Sequence, residues 1–187
     1  MQEFTTYIAY DVLEDYGKAL IESDKPIMAI VQGKIIGVAF TMLALCDRVF
    51  AIDGATFKAP LVKLAQGPEM ASAYTFPKTF GKKFADELIV GAREVPAREL
   101  EKYGFLEVCK DLADAKAQLK QYTDMVDAVD WVSFVEARKL MRCHERDILL
   151  KINRLECANL VERWCNPELP ALMVQYMLNT KVPAAKL

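Results

Sequence analysis

From Tyr7 to Glu22 the apolar positions Ile8, Val12, Leu13, Tyr16, Leu20 and Ile21 recur at helical spacing, with Asp11, Glu14, Asp15 and Lys18 between them. This pattern predicts an amphipathic helix. Asp24-Lys25-Pro26 ends it, because the residue before a proline avoids the helical region. Ile27 to Val31 is apolar on both faces and predicts a short buried strand. The chain turns at Gln32-Gly33. Gly37 to Cys46, with Val38, Ala39, Phe40, Met42, Leu43 and Leu45, then reads as a helix buried nearly all round. Arg48 to Ile52 and Thr56 to Ala59 read as short strands on either side of an Asp53-Gly54 turn. The alternation is that of an α/β protein.

The segment Ala65 to Tyr74 opens on Gly67 and Pro68 and predicts a helix with Pro68 and Glu69 in its first turn. Glu69 would then lie near the positive end of the helix dipole. Lys82 to Val90, Ala97 to Tyr103, Leu112 to Val126, Trp131 to Met141 and Asp147 to Trp164 all carry helical periodicity, and Pro167 to Leu178 adds a last amphipathic segment. No repeat, low-complexity tract or long linker interrupts the chain. The expectation is one domain over residues 1–187, an α/β core over 1–110 with a helical C-terminal extension over 111–187.

Composition narrows the function classes. With 187 residues, 53% of them hydrophobic, the chain can fill one ordinary core and is neither disordered nor fibrous. Lys and Arg number 24 against 26 Asp and Glu, a net charge of -2, so nucleic acid is not an expected partner. No apolar run approaches the roughly 20 residues a membrane span needs, so no membrane is expected either. The start Met1-Gln-Glu-Phe-Thr-Thr lacks the basic and apolar regions of a secretory signal. Cys46, Cys109, Cys143, Cys157 and Cys165 include no CxxC and read as reduced thiols. His144 stands alone in a charged stretch without metal-ligand spacing, so no metal site is expected. Asp47 reads as a residue that ties down a turn.

The run Lys25-Pro-Ile-Met-Ala-Ile-Val-Gln-Gly33-Lys-Ile-Ile-Gly37-Val-Ala-Phe-Thr-Met-Leu-Ala-Leu-Cys-Asp47 resembles the signature of the crotonase superfamily, the enoyl-CoA hydratase and isomerase fold. The likeness continues through Ala55-Thr-Phe57, Gly67-Pro68-Glu69, Leu88-Ile-Val-Gly91 and Ala97 to Leu106. Within the superfamily, Gly67-Pro-Glu69-Met-Ala-Ser-Ala-Tyr-Thr-Phe-Pro77-Lys is most similar to the peroxisomal Δ3,Δ2-enoyl-CoA isomerases and the related chromodomain-Y-like proteins. The resemblance covers roughly residues 7 to 180. It implies a spiral of ββα turns, a homotrimer, an acyl-CoA substrate and no cofactor beyond the CoA that the substrate carries.

The implied reaction moves a double bond from the 3 to the 2 position of an acyl-CoA in fatty-acid β-oxidation. It needs one base and one clamp for the thioester oxygen. The resemblance assigns the clamp to the N–H of Val38, just after Gly37, and the proton shuttle to Glu69. Read from residue type alone, Gly33 and Gly37 equally serve a tight turn, and Glu69 equally serves a first helical turn. The positions matching a hydratase's two glutamates are Thr41 and Leu61, neither of them a base, so water addition is not expected. Leu61, Met70 and Tyr74, with Phe57 and Phe76, are candidate acyl-chain walls or plain core. Lys181 resembles a basic residue that approaches the CoA phosphates, sometimes from a neighbouring subunit. Ala185-Lys186-Leu187 resembles the Ser-Lys-Leu peroxisomal address.

Family members begin with strands and a loop that supply the first oxyanion N–H, and this chain starts after them. The expectation is therefore a form truncated at the N-terminus. One oxyanion donor is worth about 2.7 to 4 kcal/mol of transition-state stabilisation. The alternative expectation is a non-catalytic acyl-CoA-binding or assembly module with a decayed site.

Overall fold

The computed structural model describes residues 2–180. Helix α1, Gln2–Glu22, ends ahead of Pro26 as the sequence predicts. Strand β1, Met28–Val31, follows, and Gly33 (φ 74°) turns the chain into β2, Lys34–Ile36. The sequence pattern did not predict β2. It is three residues long with only Ile35 buried, too short to show a period. The expected helix from Gly37 to Cys46 is instead α2, Val38–Thr41, which tightens into a 3-10 turn over Met42–Leu45.

Strands β3, Arg48–Ile52, and β4, Thr56–Lys58, precede α3, Ser72–Phe80, and α4, Lys82–Ile89. A two-residue strand β5, Val95–Pro96, leads into α5, Ala97–Glu101, and then β6, Glu107–Cys109. Everything described beyond is helical: α6, Leu112–Asp127, α7, Trp131–Trp164, and α8, Leu169–Thr180.

Strands alternate between two sheets. One has the order β1-β3-β6, all parallel, and the other β2-β4-β5, with β4 and β5 antiparallel. Ile30 stands beside Phe50 in the first and Ile35 beside Phe57 in the second. A strand from each sheet followed by helix is the repeating unit of the ββα spiral. The main core fills the space that α2, α3 and α4 cover, around Phe40, Phe57, Phe76, Phe80 and Leu88. The rings of Phe40, Phe57 and Phe76 meet at 5.0 and 5.2 Å in tilted geometry. Such pairing adds about 0.5–1.5 kcal/mol per pair to the area they bury.

A second cluster, Leu20, Ile21, Leu45, Met70, Ala71 and Leu149, forms where α1 and α7 close over the end of the spiral. The two helices predicted at Trp131 to Met141 and Asp147 to Trp164 are one helix of 34 residues. Its polar middle stays helical because it is bonded to the rest of the fold. Arg142 donates to Leu45 O at 3.2 Å, Glu145 takes the Tyr74 hydroxyl at 3.0 Å, and Arg146 pairs with Glu22 at 2.7 Å. Asp130 caps its start by accepting from the Ser133 N–H at 2.8 Å.

Asp47 does tie down a turn, and it also joins three elements. Its Oδ2 accepts from the Ile27 N–H at 2.8 Å, and Arg138 of α7 grips both carboxylate oxygens at 2.9 Å while also donating to Ser23 O at 2.6 Å. Burial works to raise the Asp47 pKa. The hydrogen bonds from Arg138 and Ile27 and the charge of Arg142 outweigh it, leaving the carboxyl below its ordinary value. No helix of the described residues is long and apolar enough to cross a membrane.

Candidate active site

A glycine turn at Gly37 and a left-handed turn of two non-glycine residues, Met70 and Ala71, frame the site. Gly37 has φ 62° and ψ -130°, a conformation essentially confined to glycine. Its N–H donates to Lys58 O of β4 at 2.9 Å, and its carbonyl accepts from Phe40 N at 2.8 Å and Thr41 N at 3.1 Å. The residue is thus fastened to the sheet on one side and to α2 on the other. Val38 is the first residue of α2, where a helix leaves its N–H groups without intrahelical acceptors. Its side chain is partly open to solvent, at 38% exposure. Thr41, one turn on, is fully buried, and its hydroxyl donates to Val38 O at 3.3 Å.

Glu69 does not sit in a helical first turn. The chain runs without regular structure from Gln66 to Glu69, and α3 starts only at Ser72, with Ala71 as its N-cap. Met70 and Ala71 both have φ 57°. Left-handed conformations in non-glycine residues cost about 1–3 kcal/mol each. Local hydrogen bonds hold the turn. The Glu69 N–H donates to Ser72 Oγ at 3.2 Å, and Thr75 Oγ1 donates to Ala71 O at 3.1 Å.

Glu69 itself is 7% exposed. Among the described residues nothing donates a hydrogen bond to its carboxylate, and burial alone pushes its pKa up to about 7. The lowering expected of a helix N-terminus is therefore overridden: the carboxyl precedes the helix and is desolvated.

The candidate acyl-chain residues fall in two places. Leu61 belongs to the main core, whereas Met70 and Tyr74 belong to the cluster under α1 and α7. Tyr74 has a second attachment through its hydroxyl, which donates to Glu145. A surface groove of about 310 Å³ is lined by Val62, Lys63, Ala65, Leu172, Gln175 and Tyr176, and Leu61 is not part of its wall. Lys181 and Ala185-Lys186-Leu187 lie outside the described residues.

Glu156 of α7 enters this site without having been predicted. It is 6% exposed, and its two oxygens accept from the Ala71 N–H at 2.6 Å and the Ala73 N–H at 2.8 Å. The signal that could have found it is a carboxylate on the apolar stripe of a helix: Leu149, Asn153, Glu156, Cys157 and Leu160 are the buried positions of α7. Cys46, Cys109, Cys143, Cys157 and Cys165 are all free thiols.

A spiral of two-sheet turns, a positive-φ glycine at a strand-to-helix junction and a desolvated glutamate define a class. Residues 2–135 match the enoyl-CoA hydratase/isomerase family, and the chain belongs to it. Mouse peroxisomal enoyl-CoA delta isomerase 3 is 36% identical over 156 residues, covering 81% of this chain and 48% of the mouse protein. Human testis-specific chromodomain protein Y 2 is 28% identical over 169 residues, covering 90% of this chain and 31% of the human protein. The chain thus spans about half or less of the length of these relatives. The crystal structure of an enoyl-CoA hydratase/isomerase from Pseudoalteromonas atlantica superposes with a TM-score of 0.81 at 27% identity, over 88% of this chain and 66% of that one.

Proposed function

We propose that this chain isomerises a 3-enoyl-CoA to its 2-enoyl form, with Glu69 as the proton shuttle and the Val38 N–H donating to the thioester oxygen. In the first step the Glu69 carboxylate takes a proton from C2, and the electron pair released spreads over a dienolate whose negative oxygen the Val38 N–H stabilises. In the second step the carboxylic acid returns that proton at C4. The double bond is left between C2 and C3 and Glu69 is ionised again, so no proton is gained or lost. The acyl-CoA is the only substrate this scheme requires, and it needs neither metal nor cofactor.

The observation that carries this reading is the Glu69 carboxyl, desolvated and with a pKa of about 7. A group that must be base and then acid works best when its pKa lies near the working pH. Isomerisation is favoured over hydration because Thr41 and Leu61 are both neutral and buried. The second buried carboxylate, Glu156, is occupied by two backbone amides and does not stand free to activate water.

The peroxisomal naming of the mouse relative agrees with Ala185-Lys186-Leu187 acting as an address, and this proposal takes the chain to be peroxisomal. Lys181 is proposed to reach the CoA phosphates, and the assembly is proposed to be a homotrimer. The test is conversion of trans-3-hexenoyl-CoA, followed by ultraviolet absorbance of the 2-enoyl product, in the unaltered chain and in Glu69→Gln. Turnover lost in the variant supports the proposal. Absence of turnover in a folded unaltered chain that still retains CoA thioester overturns it in favour of a non-catalytic acyl-CoA-binding module.

A further inference from the structure

The segment that carries Glu69 is fastened to α7 at four levels. Glu145 accepts from the Tyr74 hydroxyl and pairs with Lys78. Leu149 packs in one cluster with Met70 and Ala71. Glu156 accepts from the amides of Ala71 and Ala73. Asn159 closes on Gly67, where an added Cβ would come within 2.5 Å of its Oδ1.

The Glu156 contact differs chemically from the other three. Packing alone would be met by a leucine at this position, as at Leu149 and Leu160 on the same stripe. A carboxylate there carries a desolvation penalty that two backbone amides offset only in part. What it supplies in return is a pair of acceptors directed at the two amides that flank Ser72, at the exit of the left-handed Met70–Ala71 turn. Those amides have no intrahelical acceptor at the start of α3.

We propose that Glu156 is the positioning residue of this site: its two hydrogen bonds lock the Met70–Ala71 turn and so fix the Glu69 carboxyl, just upstream, in its buried setting. The inference rests on Glu69 being the proton shuttle. The charge of Glu69 also acts on Glu156. Burial pushes the Glu156 pKa up to about 7, with the Ala73 and Ala71 amides lowering it and the charge of Glu69 raising it further. The other titratable groups that reach this pair are the Cys157 thiol, which burial pushes up to about 12, and Glu14 of α1, which acts on Cys157. Neither supplies a positive charge, so releasing the turn to water leaves nothing to hold the Glu69 midpoint high.

The experiment uses the full chain with 13C-labelled glutamate carboxyls, the Glu69 signal being assigned by its loss in Glu69→Gln. In Glu156→Gln the carboxamide oxygen serves one amide while its NH2 faces the other, and in Glu156→Ala both acceptors are gone. The Glu69 midpoint is expected to fall by about a unit or more in both variants. For trans-3-hexenoyl-CoA, kcat at pH 8 is expected to fall about tenfold or more with KM within about twofold. A Glu69 midpoint unchanged in both variants overturns the proposal even where the unaltered chain turns over. A fall in the midpoint without turnover in the unaltered chain removes the isomerase reading, and the positioning role that rests on it falls with it. Should both variants fail to fold, amide exchange in the unaltered chain decides. Ala71 and Ala73 protected like the interior of α3 uphold the proposal, and exchange as fast as exposed amides overturns it.

Discussion

At the scale of single residues, the desolvated Glu69 makes two predictions of opposite sign. As the proposed shuttle its carboxyl must be ionised to accept a proton, so kcat/KM should rise with pH along a limb centred at about 7. Steady-state rates between pH 5 and 9 check this, and Glu69→Gln should lower kcat by about 10²–10⁴-fold. Stability runs the other way. The folded pKa of about 7 lies above the ordinary 4.5, so the folded state binds the proton more tightly. Its stability is therefore full below pH 4.5 and declines as the pH rises through 7. Glu69→Gln removes that decline and should stabilise the chain by about 3 kcal/mol at pH 8 and by less than about 0.5 kcal/mol at pH 4.5, read from urea midpoints at the two values. Glu69 was legible as a candidate because Gly67-Pro68-Glu69 falls within a recognisable run. Its environment was not, because burial arises from α1 and α7, which meet the loop from far along the chain. Glu156 was legible only as a carboxylate on an apolar helical stripe, and its partners were not, because they are backbone amides more than 80 positions away.

At the scale of elements, the order of strands and helices was largely readable, and the departures share a cause. The strand β2 and the strand β5 exist through pairing with β4, not through a periodic run of their own. The charged middle of α7 looked like a break because its partners, Tyr74, Leu45 and Glu22, lie on other elements. Two variants test how these junctions are held. Gly37→Ala should cost about 1–3 kcal/mol through φ strain alone, since a Cβ there meets nothing within 4 Å. It should also lower kcat by turning the Val38 N–H away, and chemical denaturation with parallel rate measurements separates the two effects. Arg138→Met leaves the Asp47 carboxylate, which is 14% exposed, with the Ile27 N–H and the Arg142 guanidinium at 3.6 Å, and should cost about 1.5–3 kcal/mol at pH 7. Because Asp47 is held below its ordinary 3.8, the stability it contributes is present above that pH and lost as the pH falls through the folded value. The deficit of Arg138→Met should accordingly shrink below pH 3.8, whereas an equal deficit at pH 3 and pH 7 would remove the electrostatic account.

At the scale of the whole molecule, the surface carries apolar residues that a lone protomer leaves in water. On α7, Val132, Leu140 and Met141 are 67%, 71% and 76% exposed, and on α8 Leu178 is 75% exposed. The strands β1 and β2 each pair on one side only among the described residues. Exposed apolar side chains and open strand edges both favour association. The homotrimer implied by the resemblance predicts sedimentation at three times the 21.1 kDa protomer mass, with dissociation on dilution. Gly37, Val38, Glu69 and Glu156 all belong to one chain, so kcat per protomer should stay constant through that dissociation. If Lys181 grips the CoA phosphates of a neighbouring subunit, KM for the CoA thioester should rise over the same concentration range. Lys181→Ala should then raise KM in the trimer and abolish its concentration dependence. Sedimentation as a monomer at every concentration would exclude the trimer, and a concentration-independent KM in a dissociating assembly would confine the CoA grip to the protomer itself.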